Sequence, residues 1–281
     1  MSALSAHSTT PFSGQGIRVG VFDSGVGGLS VLKAIRQAMP LADLIYVADS
    51  GFAPYGERSD AFISERSNEI SSFLQSQGVH GIVVACNTAT AVAVHELRQL
   101  WPHLPIIGVE PGIKPAISQS RNKKIGVLAT PGTLASQKFK SLVTRHEADA
   151  ELHLQACPGL ARTIESGNLN RQELKTLIAQ FCAPLKDAGV DTVVLGCTHY
   201  PFVANQLQAS LGKDVYLLDT AQAVAKHTAA ILQNRVITPS TDVTRGEVTF
   251  WTTGDPALLQ QVAESWLGWQ VVAHQMDSGQ D

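Results

Sequence analysis

Charge, cysteine and long apolar runs are all scarce in this sequence, and each shortage excludes something. Charged residues make up 16% of the 281 positions against 44% hydrophobic, and the net charge is −3. That balance excludes a disordered chain. With no basic cluster, it also argues against nucleic acid as a main partner. No run of 18 apolar residues occurs, so no membrane span is expected. The opening stretch MSALSAHSTTPFSGQG lacks the apolar core of a secretory signal, and residues 1–16 read as a flexible polar tail. The expected compartment is the cytoplasm, where thiols stay reduced. The four cysteines, Cys86, Cys157, Cys182 and Cys197, have no CxxC spacing, so the usual structural zinc patterns are missing and no metal is expected.

What is there is a repeat. GVHGIVVACNTAT (Gly78–Thr90) and GVDTVVLGCTHYP (Gly189–Pro201) both open Gly-Val, run through β-branched apolar residues and stop at a cysteine eight residues after the first glycine. Such runs read as fully buried strands of a parallel sheet. Upstream, IRVGVFDS (Ile17–Ser24) aligns with KKIGVLAT (Lys123–Thr130), matching Gly20 to Gly126 and Ser24 to Thr130. Downstream, PIIGVEP (Pro105–Pro111) corresponds to VYLLDT (Val215–Thr220), with Glu110 and Asp219 at the strand ends. Three matched strands in one order, twice, point to an internal duplication. The fold class expected is α/β: two similar parallel-sheet domains related by a pseudo-twofold axis, with the active site in the cleft between them.

Strand and helix patterns alternate from Ile17 onward. Strands are expected at Ile17–Phe22, Leu44–Val47, Ile106–Val109 and Val248–Trp251, and helices near Gly28–Met39 and Thr88–Leu100. Asp49–Ser59 is a loop long enough to reach a site. PGIKP (Pro111–Pro115) reads as a linker. The last part of the chain has no counterpart in the repeat and is expected to pack back on the first half. The domains are then 17–113 with 224–281, and 114–223.

Ligands of open α/β sheets bind at the carboxyl ends of the strands, where both Cys86 and Cys197 fall. Either alone reads as a buried filler; two at matched strand ends read as functional. Cys157 and Cys182 lie outside the matched positions and stay fillers. DSGVGG (Asp23–Gly28) can place backbone N–H groups against an anion, or can simply be a tight strand-to-helix turn. It is neither a Walker motif nor a good GxGxxG. Asp23 weighs against phosphate there and suits a group that accepts a proton, binds an ammonium or tunes a thiol. His199, two residues after Cys197, can share its face. Glu165, taken alone, is a solvated helix carboxylate. Two thiols on facing, similar units allow a nucleophile with a resolving thiol, a disulfide, or proton transfer at a stereocentre from opposite faces. The pseudo-twofold suits the third, because the reaction is itself nearly symmetric.

GVFDSGVGGLSVL, the PYG loop at Pro54–Gly56, VVACNTAT, GVEPGIKPA, LGCTHYP and the late TTGDP (Thr252–Pro256) resemble the glutamate racemases of the cofactor-independent aspartate/glutamate racemase superfamily. The resemblance runs from Ile17 to about Gly268. It implies interconversion of L- and D-glutamate with no cofactor, for bacterial peptidoglycan synthesis, in a homodimer. It implies that Cys197 deprotonates L-glutamate and Cys86 D-glutamate, with Asp23 and His199 assisting the thiols on their own sides. Glu165 falls where the family has a carboxylate. Substrate contacts would come from Asp23, Ser24, Tyr55, Gly56, Asn87, Thr88, Thr198 and His199. A racemase for aspartate or another amino acid, and a two-lobed small-ligand receptor with passive cysteines, are the competing readings.

Overall fold

The computed structural model describes residues 16–167, 169, 171–233 and 245–277, so most of the polar-tail stretch lies outside the described residues. Among those described, ten strands form two all-parallel sheets. They are β1 (Arg18–Asp23), β2 (Asp43–Ala48), β3 (Gly81–Val84), β4 (Ile106–Gly108), β5 (Lys124–Ala129), β6 (Glu151–Ala156), β7 (Thr192–Gly196), β8 (Tyr216–Leu218), β9 (Val248–Thr252) and β10 (Ala273–Gln275). One sheet has the order β10-β9-β2-β1-β3-β4 and the other β6-β5-β7-β8. The core of the first, β2-β1-β3-β4, has the order of the whole second sheet, so the sequence repeat is a repeat of topology.

The matched residues do matched work. Gly20 and Gly126 each lie under a leucine of the helix that precedes the cysteine strand. A Cβ at Gly20 would meet the Leu74 side chain at 3.0 Å, and one at Gly126 the Leu185 side chain at 2.8 Å. Those helices, Asp60–Ser76 and Gln172–Asp187, give way to Gly78 and Gly189, both at φ +70°. Glycine takes that left-handed conformation without strain, which is why both copies open Gly-Val. β3 and β7 are buried along their whole length. Each fully buried Val, Ile or Leu there contributes about 1.5–3 kcal/mol.

The chain returns to the first sheet as expected. Helix Ala221–Gln233 packs along helix Leu29–Ala38, and β9 pairs with β2 in the register Tyr46↔Phe250. β10 was not legible in the sequence: three residues, Ala-His-Gln, carry no apolar run. The stretch read as a linker is partly helical, since helix Ile113–Gln119 starts inside it and Ile113 is fully buried in the core beside β5. The two sheets do not stand apart. One apolar cluster runs from Val26 and Leu29 to Leu160 and Ile164, and the rings of Phe202 and Trp266 meet across it, tilted by 35° with centroids 3.4 Å apart.

Candidate active site

β3 and β7 end one or two residues before a cysteine, and this equivalence brings both thiols to one place. Cys86 caps helix Asn87–Leu100, its sulfur accepting the Ala89 N–H at 3.5 Å. Cys197 leads into the short turn Tyr200–Val203 and helix Ala204–Leu211. They are 5% and 7% exposed. Both line one narrow pocket, whose cavity volume is only ≈ 10 Å³, about the room of one water. Its wall also holds Ser24, Tyr55, Gly56, Asn87, Thr88, Thr198 and His199. Asp23 lies behind that wall, fully buried, and accepts hydrogen bonds from Thr198 Oγ1 at 2.9 Å and the Gly25 N–H at 2.9 Å. Cys157 and Cys182 are buried in the apolar core and do not line the pocket.

Glu165 is not a solvated carboxylate. It ends the short helix Leu160–Glu165, its side chain is 14% exposed, and three groups from distant parts of the chain converge on it. His199 Nε2 lies 2.6 Å away, the Val26 N–H donates at 2.9 Å and Ser50 Oγ at 2.8 Å. Burial alone would raise its pKa; the His199 hydrogen bond and charge outweigh this and hold it below the ordinary value. Burial would likewise push His199 down. Its bonds to Cys197, 3.8 Å from Nδ1, and to Glu165 instead hold it well above the usual imidazole value. His199 is wedged between a thiol and a carboxylate, and both contacts favour its protonated form.

The glycine-rich turn takes its meaning from the same carboxylate. A Cβ on Gly25 would lie 2.3 Å from the Glu165 oxygens, and one on Gly27 would lie 2.5 Å from His199 Nδ1. The turn does receive an anion on a backbone N–H, as its glycines allow, but the anion is the protein's own Glu165.

On the Cys86 side the company is different. Its thiol lies 3.7 Å from Ser24 Oγ. Burial, then the negative charge of Asp23, pushes it up to about 12, against the Ala89 N–H and Ser24. Burial also raises Asp23 to about 6, with His199, Thr198 and Gly25 restraining the shift. Asp23 is not a partner of one thiol alone: its hydrogen bond goes to Thr198 in the Cys197 loop, while its charge acts on Cys86.

Tyr55 lines the pocket while its hydroxyl donates to Asp49 at 2.5 Å. Thr130 and Thr133 were missed. Thr88 Oγ1 lies 3.0 Å from Thr130 Oγ1 and 3.3 Å from Thr133 Oγ1, so three buried hydroxyls cluster at the pocket edge. The match of Thr130 to Ser24 was the available signal. Asn87 Nδ2 is buried with no hydrogen-bond partner among the described residues. Among the described residues no three His, Cys, Asp or Glu side chains are grouped to hold a metal, and no helix is long and apolar enough to cross a membrane.

The chain matches known proteins over most of its length. Residues 28–228 match the Asp/Glu/Hydantoin racemase family. A glutamate racemase of Stutzerimonas stutzeri is 48% identical over 244 residues, covering 87% of this chain and 91% of that one. The crystal structure of a Bacillus anthracis glutamate racemase isoform superposes with a TM-score of 0.84 at 32% identity, covering 94% of this chain and 98% of that one. That of the Escherichia coli glutamate racemase, in complex with L-glutamate and the activator UDP-MurNAc-ala, gives a TM-score of 0.80 at 30% identity, with 93% and 98% covered.

Proposed function

Because this chain belongs to the Asp/Glu/Hydantoin racemase family and is an amino-acid racemase, we propose that it interconverts L- and D-glutamate by proton transfer between Cys86 and Cys197, without a cofactor. The observation that carries the reading is the placement of both thiols, from equivalent strand ends, on the wall of one pocket. L-Glutamate bound in the Escherichia coli relative supports the choice of substrate.

The α-proton of an amino acid is weakly acidic, and the adjacent carboxylate opposes a carbanion. The site answers with fixed donors in a dry pocket. Ser24, Thr88 and Thr198 supply hydroxyls, and Asn87 Nδ2, without a partner among the described residues, supplies N–H groups to a substrate carboxylate. Cys197 takes the proton of L-glutamate and Cys86 delivers one to the opposite face; D-glutamate runs the exchange in reverse. Burial makes Cys86 a poor thiolate, so it holds its proton and stands ready as the acid for L-glutamate. The substrate ammonium, beside Asp23, offsets that carboxylate's repulsion when Cys86 must become the base. His199, oriented by Glu165, serves the Cys197 side. Well-placed acid–base groups supply about 10²–10⁴ in rate; orientation and charge stabilisation supply the rest.

In this reading residues 17–113 with 224–281 form one domain and 114–223 the other, and closing them dries the pocket. The enzyme works in the cytoplasm as a homodimer, and its D-glutamate goes to peptidoglycan.

A circular dichroism time course with each enantiomer tests the function. Ellipticity should decay to zero from both L- and D-glutamate. Binding without decay would make the protein a receptor, and faster decay of aspartate would make it a racemase of another amino acid.

A further inference from the structure

The wall that carries Tyr55 and Gly56 is held from behind by a buried polar cluster that the reaction itself does not use. Asp49 follows β2 and is fully buried. Its carboxylate receives four hydrogen bonds: from Tyr55 Oη at 2.5 Å, Arg66 Nη2 at 2.8 Å, Arg66 Nε at 3.1 Å and Thr253 Oγ1 at 2.8 Å. A buried carboxylate persists only when paired and hydrogen-bonded in this way. Arg66 comes from helix Asp60–Ser76, and its guanidinium sits 4.0 Å from the centre of the Phe52 ring. Thr253 belongs to the TTGDP turn after β9, and its hydroxyl also accepts the Gly51 N–H at 3.2 Å. Three separate stretches thus meet on one side chain.

Their meeting point is tied to the pocket on two sides. The Asp49 N–H donates to the Asp23 carbonyl at 3.0 Å, fixing Asp49 to the strand end that carries Asp23. Tyr55, held by its hydroxyl, leads directly into Gly56. Gly56 lies so close to Thr130 that a Cβ there would be 2.7 Å from the threonine. The position of Tyr55 therefore sets how the Pro54–Gly56 wall meets the hydroxyl cluster opposite it.

We propose that Asp49 is the positioning residue of the Pro54–Gly56 wall and that Thr253 clamps it, so that the TTGDP turn sets substrate affinity without touching substrate. The effect on affinity rests on the racemase reading; the effect on the wall does not. Thr253→Val keeps the shape and removes the hydroxyl, Thr253→Ser restores it, and Tyr55→Phe cuts the other end of the same link. Amide hydrogen exchange across residues 53–58 and steady-state kinetics with L-glutamate are read in each. In Thr253→Val, exchange in that segment should quicken about tenfold and KM should rise about tenfold, the loss expected of one hydrogen bond to a charged group. Turnover should stay within about threefold. Thr253→Ser should behave as wild type, and the Thr253→Val/Tyr55→Phe double variant should lose little more than either single one, since both act through Asp49. Unchanged exchange and KM in folded Thr253→Val would overturn the proposal, as would a fall in kcat at constant KM. If Thr253→Val does not fold, Tyr55→Phe decides by the same two readings. If the wild-type protein does not racemise glutamate, the reaction reading fails, and the exchange of residues 53–58 still decides whether the clamp exists.

Discussion

The two thiols stand at equivalent ends of β3 and β7 and keep opposite company. Cys197 faces His199, whose far ring nitrogen lies against the Glu165 carboxylate. Cys86 faces the Ser24 hydroxyl and the charge of Asp23, and burial pushes it up to about 12. Duplication therefore fixed where the sulfurs stand and left their electrostatics to be set by unmatched residues. A racemase needs like groups on both faces of a carbon, but it also needs one protonated while the other is not. The surroundings of Cys86 hold its proton in place before substrate arrives.

The largest effect should come from deleting either half of the pair. Cys86→Ala and Cys197→Ala each remove a base in one direction and an acid in the other. Racemisation should fall by about 10²–10⁴ from both enantiomers in both variants. The double variant should lose little more, because groups that act as a unit are not additive. Full activity in one direction with either cysteine gone would end the comparison between the sides.

Glu165→Gln sharpens the comparison by weakening one side. Turnover should fall about tenfold or more, the effect of losing a charge-assisted hydrogen bond. His199 should titrate closer to the ordinary imidazole value by NMR. Stability from this pair is lost as pH rises through the raised His199 value, and lost as pH falls through the lowered Glu165 value. The variant should thus be most destabilised near neutrality and approach wild type in acid. An unmoved His199 titration would contradict the assignment.

Asp23→Asn tests the other side through stability. The folded value of about 6 lies above the ordinary 3.8, so the favourable contribution of the protonated acid is lost as pH rises between them. Above pH 6 the buried charge costs on the order of 3 kcal/mol. Urea denaturation should find the variant more stable than wild type at pH 8, by up to that amount, and equal to it at pH 3.5. A variant less stable than wild type at pH 8 would show that Thr198 and Gly25 fully compensate the buried charge. The smallest effect belongs to the fillers. Cys157→Ala and Cys182→Ala should keep racemisation within about threefold, because each is buried in apolar core and neither lines the pocket.

The parallel strands and both cysteines were legible because a buried parallel strand is a continuous apolar run and the repeat supplied its own control. The strand bounds fall within a residue or two of expectation for β1, β2 and β4. What escaped depends on partners far away in sequence. Glu165 looks like a surface helix residue because Val26, whose N–H it binds, is 139 residues distant. The Tyr55 hydroxyl goes to Asp49, a choice set by a buried arginine and by a threonine 204 residues from Asp49. Thr130 was half visible, as the match to Ser24; seeing it as part of the wall required knowing that the two strand ends face each other.

The central claim is that two thiols act from opposite faces of one carbon, and isotope entry from heavy water tests it most directly. L-Glutamate is incubated with enzyme in heavy water, and both enantiomers are recovered at a few per cent conversion. A proton taken by Cys197 and a deuteron given by Cys86 should leave the D-glutamate deuterated at the α-carbon while the remaining L-glutamate stays protiated. The converse should hold from D-glutamate. Deuterium entering recovered substrate as fast as product, from the earliest times, would mean that one shared base serves both faces and would contradict the account.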